Sequence, residues 1–400
     1  MKKKKILMIT PYVPYPPASG GQIRTLNLLK YLKNKVDITL VCLYKTDKEK
    51  TLANKLKSFC KEIYLCKRPK NPWSPALIIK AVFSTKPFLI IRNFSKDAEE
   101  LIKKLLKKEE FDAIHAETFY VMPHLPDIDI PVLLVEQTIE YNVYKHFVET
   151  LPVPIRYLFY LDIIQLKFWE KYYWKKSTYV ACVSIPDQKE INKTDKNIPT
   201  VVIPNGAGDD MFVQKLPKKN FKKPILLFVG NFLWLQNTEA AKIIIDKIAP
   251  LVKEHIPQAQ IIIAGQHLKK KFPLSPNSNL ELKEIAANDT TVVKNLYRKA
   301  HIFISPLKGP GGTRLKILGA MAAGLPIVGS RVSVSGLNLK SGEDYLLAER
   351  PSEFVKQIKR ILSDQNLYYR MQKHAYLKAK QNFSWKKIAE KLNSVYEKII

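Results

Sequence analysis

Short apolar runs recur along the whole chain, and stretches with helical spacing of apolar residues lie between them. The runs have the length and the β-branched content of buried strands. We predict strands at KILMIT, VDITLVCLY, EIYLC, FDAIHAE, PVLLVE, TYVACVS, VVIPNG, ILLFVGN, QIIIAG, IFIS and LPIVG. Because strands that alternate with helices form parallel sheets, the pattern predicts a mostly parallel α/β protein.

Several segments between these strands place their apolar residues on one helical face. The clearest spans residues 238–253, where Ala241, Ile244, Ile245, Ile248 and Val252 share a face. Further helices are predicted after Gly21 and over residues 97–108, 351–362, 367–380 and 384–400. The segment 155–176 (IRYLFYLDIIQLKFWEKYYWKK) is apolar on nearly every face. It suits either a packed interdomain helix or a helix that lies on a membrane.

A polar, basic segment with two prolines, residues 213–224, separates two series of strands and helices. A chain of 400 residues is long enough for two domains. We therefore predict an N-terminal domain over residues 1–212, a linker over 213–224 and a second domain over 225–380. The last helix, in residues 381–400, is predicted to pack back on the first domain.

The stretch from His301 to Ser330 carries a strand, a glycine-rich loop, a helix and a second strand. A helix that begins directly after such a loop points free N–H groups at it, which favours anions. Arg314 and Lys316 add positive charge beside the loop, and Lys308 is a further candidate contact. The alternative is an ordinary strand-loop-helix unit whose basic residues are solvated.

Other candidate site residues follow predicted strands. Gly20 and Gly21 end the first strand-helix loop, where doubly wound folds bind ligands, although a plain turn is the alternative. Gly230 and Asn231 end the strand ILLFVGN in the same manner. His115, Glu117 and Glu140 lie at the carboxyl ends of predicted strands of the first domain and are further candidates. The alternative for His115 is a structural hydrogen bond at the strand end.

Composition narrows the possible functions. The net charge of +30 favours nucleic acid, an anionic membrane surface or anionic small molecules as partners. No recognisable nucleic-acid module is present, so we expect no nucleic-acid partner.

The four cysteines lack metal-ligand spacing and are expected to be reduced thiols. The apolar run near the start is too short for a signal peptide or a membrane span, which predicts a soluble, cytoplasmic protein.

The order and spacing of several motifs resemble the retaining glycosyltransferases of the GT-B fold, specifically the family-four group. In the second half they are GNFLWLQNTEAA, IIIAGQ, SPLKGPGGTRLKILGAMAAGLPIVGS and VSGLNLKSGEDYLLAE. In the first half they are PYPPASGGQIRTLNLL, DAIHAE, VEQTIEY, VSIPD and VIPNGAGDDMF. The resemblance implies two Rossmann-like domains that face a cleft, with a C-terminal helix that crosses back to the first domain.

The resemblance also implies a function. A nucleotide diphosphate sugar would be bound by the second half, and a glycan or lipid-linked acceptor by the first, in cell-envelope or exopolysaccharide synthesis. No metal or other cofactor is expected, because basic side chains and helix N-termini would carry the diphosphate charge. The residues expected to carry catalysis are Arg314, Lys316, His115 and Glu140. The residues expected to contact the donor are Gly20, Gly21, Gly230, Asn231, Gly311, Gly312, Thr313 and Gly319.

Two departures from the family pattern matter. Relatives place glutamates where this chain has Gly311 and Gly319, and the second of these normally holds the ribose of the nucleotide. The histidine found in many relatives after the strand PVLLVE is replaced by Glu136 or Gln137. These departures leave open an alternative, a catalytically silent relative that binds sugars or acts as a scaffold. An enzyme attached to the inner membrane face, through its basic and aromatic residues, also remains a hypothesis.

Overall fold

The computed structural model describes residues 3–71, 74–273, 279–287, 289–310 and 314–400. It divides into two compact units, one of Met1–Pro204 with Ile388–Ile400 and one of Asn205–Lys387. Each unit is a parallel sheet covered by helices. The predicted domain limits and the linker over residues 213–224 stay predictions.

The sheet of the first unit has seven described strands in the order β3-β2-β1-β4-β5-β6-β7. The strands are β1 (Lys4–Thr10), β2 (Val36–Tyr44), β3 (Glu62–Lys67), β4 (Ala113–Glu117), β5 (Val132–Glu136), β6 (Tyr179–Cys182) and β7 (Thr200–Val202). Every pairing is parallel. All residues of β4 and β5 are buried, which explains why they form nearly continuous apolar runs in the sequence.

Helices cover this sheet. They are α1 (Gly20–Leu32), α2 (Asp47–Leu52), α3 (Pro75–Val82), α4 (Phe88–Asn93), α5 (Lys96–Lys108), α6 (Glu140–Glu149), α7 (Val153–Lys176) and α8 (Ile185–Thr194). Short 3₁₀ turns lie at Ala53–Leu56 and Phe119–His124. Ser95 begins α5 by accepting a hydrogen bond from the N–H of Ala98, and Ser184 begins α8 in the same manner.

The sheet of the second unit has six described strands in the order β10-β9-β8-β11-β12-β13. They are β8 (Ile225–Asn231), β9 (Gln260–Gln266), β10 (Leu280–Glu284), β11 (Ile302–Ser305), β12 (Ile327–Gly329) and β13 (Leu346–Leu347). The order reverses between β8 and β11, which makes this point the topological switch of the sheet.

The helices of the second unit follow the same alternation. They are α9 (Leu235–Ile243), α10 (Ala249–His255), α11 (Leu268–Lys271), α12 (Thr290–Lys299), α13 (Leu315–Ala322), α14 (Pro351–Ser363), α15 (Gln365–Asn382) and α16 (Trp385–Ile399), of which the last continues into the first unit. A π-helical turn, Ile244–Ile248, joins α9 to α10. Short 3₁₀ turns lie at Asp209–Met211 and Val332–Val334.

The predicted parallel α/β architecture with two Rossmann-like units is confirmed. Two short strands escaped prediction: β10, because LELKE alternates charged and apolar residues, and β13, because it has only two residues. The helices missed were α2, α3, α4, α6, α8, α11 and α12. In α3, α4 and α6 the apolar residues show no clean helical period.

Helix α7 has two apolar faces, as its sequence indicated. One face is buried in the core of the first unit through Ile163, Leu166, Tyr173 and Trp174. The opposite face is exposed, and Leu158, at 79% exposure, is its most accessible residue. The expectation that the whole helix is packed is therefore wrong for this outer face. In the described part of the chain, no helix is both long and apolar enough to cross a membrane.

Candidate active site

The switch point of the second sheet brings together residues that are far apart in the sequence. Strands β8 and β11 are neighbours, so the loop after β8 and the loop after β11 begin side by side. The side chain of Gln236 joins them, because its Nε2 donates a hydrogen bond to the backbone oxygen of Pro310 at 3.1 Å. Open α/β sheets bind ligands at this position, outside the carboxyl ends of the strands.

Gly230 and Asn231 form the end of β8 and support the start of α9. The amide of Asn237 lies against Gly230, where a Cβ atom would come within 2.9 Å of the Asn237 Cγ. Only glycine therefore lets Asn237 approach, and its Nδ2 donates to the backbone oxygen of Asn231 at 2.7 Å. The side chain of Asn231 accepts from the N–H of Leu233 at 3.0 Å. These hydrogen bonds fix the conformation of the turn between β8 and α9.

Lys316 lies in the first turn of α13 and points at the same turn. Its ammonium donates to Oδ1 of Asn237 and lies 4.5 Å from the ring centre of Phe228, a cation–π contact. Burial, and secondarily the positive charge of Arg314, hold the pKa of Lys316 well below its usual value. A buried amine of this kind is a suitable contact for an anionic group, because a bound anion favours its charged form.

Arg314 precedes α13, and its Nη2 donates to the backbone oxygen of Gly309 at 2.7 Å. This bond fixes the guanidinium to the loop that follows β11. Gly311, Gly312 and Thr313, which the sequence also assigned to the donor site, lie outside the described residues. Lys308 is exposed on the same loop.

Below the loop, three serines hold the ends of β11 and β12 together. Ser333 donates to the backbone oxygen of Ser305, and Ser330 donates to that of Leu307 at 2.5 Å. All three serines are buried, and the two hydroxyls of Ser330 and Ser333 lie 2.9 Å apart. This network gives the base of the loop a fixed shape.

Gly319 lies on the buried side of α13. A Cβ atom there would lie 3.3 Å from Cε of Met211 and 3.4 Å from Cζ of Tyr297. The space that a longer side chain would need is thus filled by these two residues. Tyr297 is held in place, since it stacks on Phe303 and donates to the backbone oxygen of Lys316 at 3.1 Å.

In the first unit, Gly20 and Gly21 are the first residues of α1. A Cβ at Gly21 would lie 2.5 Å from the hydroxyl of Tyr12 and 2.9 Å from Oε1 of Gln137. The same hydroxyl accepts from Nε2 of Gln137 at 2.9 Å. Gly21 is therefore required by local packing, whether or not the backbone also contacts a ligand.

His115 lies at the centre of a buried polar network. Its Nε2 lies 2.7 Å from Oε2 of Glu117, and its Nδ1 lies 2.6 Å from the hydroxyl of Tyr396 on α16. Glu117 also contacts Nε of Arg24 at 3.4 Å and accepts from Gln137 at 2.6 Å. Since the imidazole is fully buried and both ring nitrogens are occupied, the geometry favours the structural alternative for His115.

The electrostatics of this network agree with a structural role. Burial opposes ionisation of Glu117, but His115, Arg24 and Gln137 outweigh it and lower the pKa of that carboxyl. Arg24 is also fully buried and donates from Nη1 to the backbone oxygens of Ile203 and Pro204. Neither Arg24 nor Tyr396 could be predicted as a partner, because both are distant from His115 along the chain.

Glu140 is the first residue of α6 and is half-buried. Its carboxylate accepts from the hydroxyl of Thr138 at 2.6 Å, and its backbone N–H donates to Oε1 of Glu170 at 2.8 Å. Burial raises the pKa of Glu140, which makes its carboxylate a stronger proton acceptor. In the described part of the chain, no hydrogen bond joins Glu140 to His115, so the two candidates belong to separate clusters.

Among the residues the structure describes, no group of three or more His, Cys, Asp or Glu side chains has the geometry to hold a metal ion. Asp127 and Asp129 have an Asp-x-Asp spacing, but they lie in the loop that leads into β5. Asp127 there pairs with Lys176 at 2.5 Å.

The second unit resembles known proteins in sequence. Residues 223–364 match the family model of the glycosyl transferases, group 1. The matched segment includes β8, the loop after β11 and α13. It therefore contains every described residue of the donor-site prediction except Gly20 and Gly21.

Other relatives and solved structures resemble this chain over most of its length. The uncharacterized 44.6 kDa protein in the cps region of Klebsiella pneumoniae is 23% identical over 366 residues, which is 88% of this chain and 90% of that protein. The sucrose-phosphate synthase of Thermosynechococcus elongatus superposes with a TM-score of 0.71 at 17% identity over 99% of both chains. HepE of Anabaena, solved in complex with UDP and glucose, superposes with a TM-score of 0.65 at 13% identity, over 99% of this chain and 100% of HepE. The structural likenesses establish the GT-B type of fold for both units.

Proposed function

We propose that this chain is a retaining glycosyltransferase of the family-four type. It transfers a hexose-like sugar from a nucleotide diphosphate donor to a glycan or a lipid-linked acceptor. The observation that carries the proposal is the position of Lys316 and Arg314 at the topological switch point, inside the segment that matches group 1 glycosyl transferases.

The chemistry requires positive charge where the diphosphate leaving group develops negative charge. Lys316 and Arg314 supply this charge from fixed positions, because one is braced by Asn237 and the other by Gly309. The first amides of α13 add a partial positive charge on the same side. These groups make a metal ion unnecessary for leaving-group stabilisation, and we propose a metal-independent reaction.

The donor and acceptor classes rest on the relatives. HepE is described with UDP and glucose, which supports a UDP-sugar as the first donor to test. The Klebsiella relative is encoded in a cps region, which supports cell-envelope or capsular polysaccharide synthesis. The acceptor hydroxyl needs a group to accept its proton. Glu140, with its raised pKa, fits this role better than the fully occupied His115.

We further propose that the protein works in the cytoplasm against an anionic membrane surface, and that it has no nucleic-acid partner. The outer face of α7 carries Tyr157, Leu158, Leu161, Ile164 and Phe168 in the exposed state. Phe83, after α3, is 87% exposed, and the backbone oxygen of the nearby Thr85 accepts a hydrogen bond from Trp169 of α7. Aromatic and aliphatic side chains beside lysines are typical of surfaces that lie on lipid headgroups.

The test of the proposed function starts with nucleotide binding. The full chain is screened by thermal shift against UDP, GDP, ADP, CDP and TDP, and the best ligand is then titrated by calorimetry. We expect one nucleotide diphosphate to stabilise the protein, and Arg314→Ala and Lys316→Ala to reduce sugar transfer or donor hydrolysis at least about tenfold, some 1.4 kcal/mol of barrier. No binding of any nucleotide by the unaltered protein would contradict the proposal.

A silent, sugar-binding or scaffold relative is the second candidate. It is favoured by Gly319, because Met211 and Tyr297 fill the space where relatives have a ribose-binding glutamate. The two candidates differ in turnover: the silent relative neither hydrolyses nor transfers a nucleotide sugar, whereas the enzyme does.

A further inference from the structure

Two basic residues lie side by side at the carboxyl edge of the first sheet. Lys45 follows β2 and Arg68 follows β3. These strands pair in parallel, with Tyr44 opposite Lys67 as the last pair. The N–H of Arg68 donates to the backbone oxygen of Tyr44 at 2.9 Å, which extends the ladder to the point where both cations begin. Both side chains are half-buried.

Helix α4 brings a third cation to this place. Nη1 of Arg68 donates to Oδ1 of Asn93, the last residue of α4, and Arg92 is the residue before it. The Nδ2 of Asn93 in turn donates to the backbone oxygen of Leu89 at 2.7 Å, so this end of α4 is fixed. The guanidinium carbon of Arg92 lies 5.9 Å from the ring centre of Phe88.

Among the described residues, Lys45, Arg68 and Arg92 lack a carboxylate in direct contact. In the described part of the chain, none of the three forms an ion pair with a carboxylate, although exposed lysines of the same unit, such as Lys61 and Lys103, do. The charge of Glu49 acts on Lys45 and Arg68 and partly offsets the lowering of their pKa values, while its Oε2 accepts the backbone N–H of Lys45 at 2.7 Å.

The charges of the group act on each other. Burial first, and then the charge of Arg92, lower the pKa of Arg68 to about 10. Burial and the charge of Arg68 likewise lower the pKa of Lys45. The buried Nε of Arg68 makes no hydrogen bond to any described residue. A buried donor without an acceptor and repulsion between like charges both cost free energy, and an anion bound here would relieve both.

We infer that Lys45, Arg68 and Arg92 bind a phosphate-type anion carried by the acceptor. Guanidinium groups match the oxygens of phosphate in a two-pronged geometry, and a lysine adds a point charge. That the acceptor carries this anion rests on the proposed function, whereas the anion site itself does not. Arg92 is also among the charges that oppose the burial-driven rise in the pKa of Glu140. The bound phosphate would therefore lie on the same side of the unit as the proposed proton acceptor.

Calorimetric titration of the full chain with inorganic pyrophosphate tests the site directly. The variants are Arg92→Gln, Arg92→Lys and, as a matched loss of charge, Lys70→Gln, which removes an exposed lysine two residues after Arg68. A pyrophosphate site in the second unit contributes equally to all of them. We expect Arg92→Gln to weaken one class of sites about tenfold or more, and Lys70→Gln to change it about twofold or less. Arg92→Lys should fall between them, because it keeps the charge but loses the two-pronged geometry.

Equal isotherms for Arg92→Gln and Lys70→Gln would overturn the inference. The unfolding midpoint without ligand is a second measurement. If Arg92 only repels the other two cations, Arg92→Gln should leave the midpoint unchanged or raise it. If Arg92 has a purely structural role, Arg92→Gln should lower the midpoint. Because binding of pyrophosphate needs no sugar transfer, a failure of the proposed function leaves this result unaffected.

A second titration identifies the source of the phosphate. Farnesyl diphosphate is compared with inorganic pyrophosphate on the unaltered chain and on Phe83→Ser, in the segment that leads from α3 to α4. Tighter binding of farnesyl diphosphate that Phe83→Ser removes assigns the anion to a lipid carrier. Equal binding of both compounds assigns it to a phosphate on a soluble glycan.

Discussion

The hydroxyl of Tyr396, in the last helix of the chain, lies 2.6 Å from Nδ1 of His115 in the fourth strand. The other ring nitrogen of His115 faces a Glu117 carboxylate that can only accept hydrogen bonds. In the neutral imidazole, the proton is therefore on Nε2, and Nδ1 accepts from Tyr396. Burial holds the pKa of Tyr396 well above its usual value, which keeps this donor protonated. The bond ties the C-terminal helix to the first sheet.

We predict that Tyr396→Phe lowers the free energy of unfolding of the protein by about 1–3 kcal/mol. The substitution leaves Nδ1 of the buried His115 without a donor, and an unsatisfied buried group carries such a cost. Urea denaturation measures the change. Tyr157→Phe is the matched control, since Tyr157 is exposed on α7. Equal effects of the two substitutions would contradict a structural role for the bond.

Glu136, at the end of β5, predicts a dependence of stability on pH. It is fully buried; Nε1 of Trp174 donates to its Oε1 at 2.8 Å, and its Oε2 has no hydrogen-bond partner among the described residues. Burial, and next the charge of Glu170, hold the pKa of Glu136 well above its usual value of 4.5. The folded state therefore retains a proton that the unfolded state loses, and this contribution to stability disappears as the pH rises from 4.5 through the raised pKa.

We predict that Glu136→Gln removes part of this loss of stability at higher pH. Glutamine keeps the acceptor for Trp174 and carries no charge at any pH. Unfolding midpoints in urea between pH 4.5 and pH 8 should therefore fall less steeply for Glu136→Gln than for the unaltered protein. Glu149→Gln, at an exposed position, is the control for net charge. Parallel curves for all three proteins would refute the buried, protonated state of Glu136.

Lys316 predicts proton uptake when a diphosphate binds. Its pKa in the free protein is far below its usual value of 10.5, mainly because it is buried. A diphosphate beside the amine favours the charged form and raises this pKa. Between the lowered pKa and 10.5, binding should therefore take up a proton. Calorimetry in buffers of different ionisation enthalpy measures the uptake, and Lys316→Met, which keeps the stem over Phe228, should abolish it.

The outer face of α7 predicts binding to anionic vesicles. Removing one exposed leucine from a helix face that enters the lipid interface costs about 1.5–3 kcal/mol, or about tenfold or more in partition. We therefore expect Leu158→Ser to weaken binding to vesicles of phosphatidylglycerol and phosphatidylcholine by this amount. Leu377→Ser, on the exposed side of α15, is the control. Equal binding to neutral and anionic vesicles, or binding that does not change with the salt concentration, would contradict the electrostatic part of the prediction.

The sequence was sufficient for the parallel α/β architecture. Glycine and a polar residue at the end of a buried strand made Gly230 and Asn231 candidates, and a helix start after a glycine-rich loop did so for Lys316; that these residues bind a donor stays a prediction. The sequence was not sufficient for Asn237, whose role depends on the space that Gly230 leaves free. Nor could it pair His115 with Tyr396, since that contact depends on where the last helix returns. The cations Lys45, Arg68 and Arg92 were hidden among the many basic residues of a chain with a net charge of +30.

Gly319 separates the two candidate functions most sharply. In the sequence it stands where relatives have a glutamate, and the change suggested a lost hydrogen bond to ribose. In the structure its neighbours are Cε of Met211 and the ring of Tyr297, 3.3 and 3.4 Å from the position of a Cβ. Met211 is the end of a flexible side chain and can shift, whereas Tyr297 is held by Phe303 and by its bond to Lys316.

These contacts predict different effects for two substitutions. Gly319→Ala should be close to neutral, because a gain of about 1 kcal/mol in helix propensity offsets the tight contact with Met211. Gly319→Glu should lower the unfolding midpoint and weaken nucleotide binding, since its side chain has no room beside Met211 and Tyr297. Adding Met211→Ala to Gly319→Glu makes space and should restore part of both losses. If Gly319→Glu alone instead tightened nucleotide binding, the pocket would have room for the glutamate of the relatives, and the packing of Met211 and Tyr297 would not be the reason for glycine.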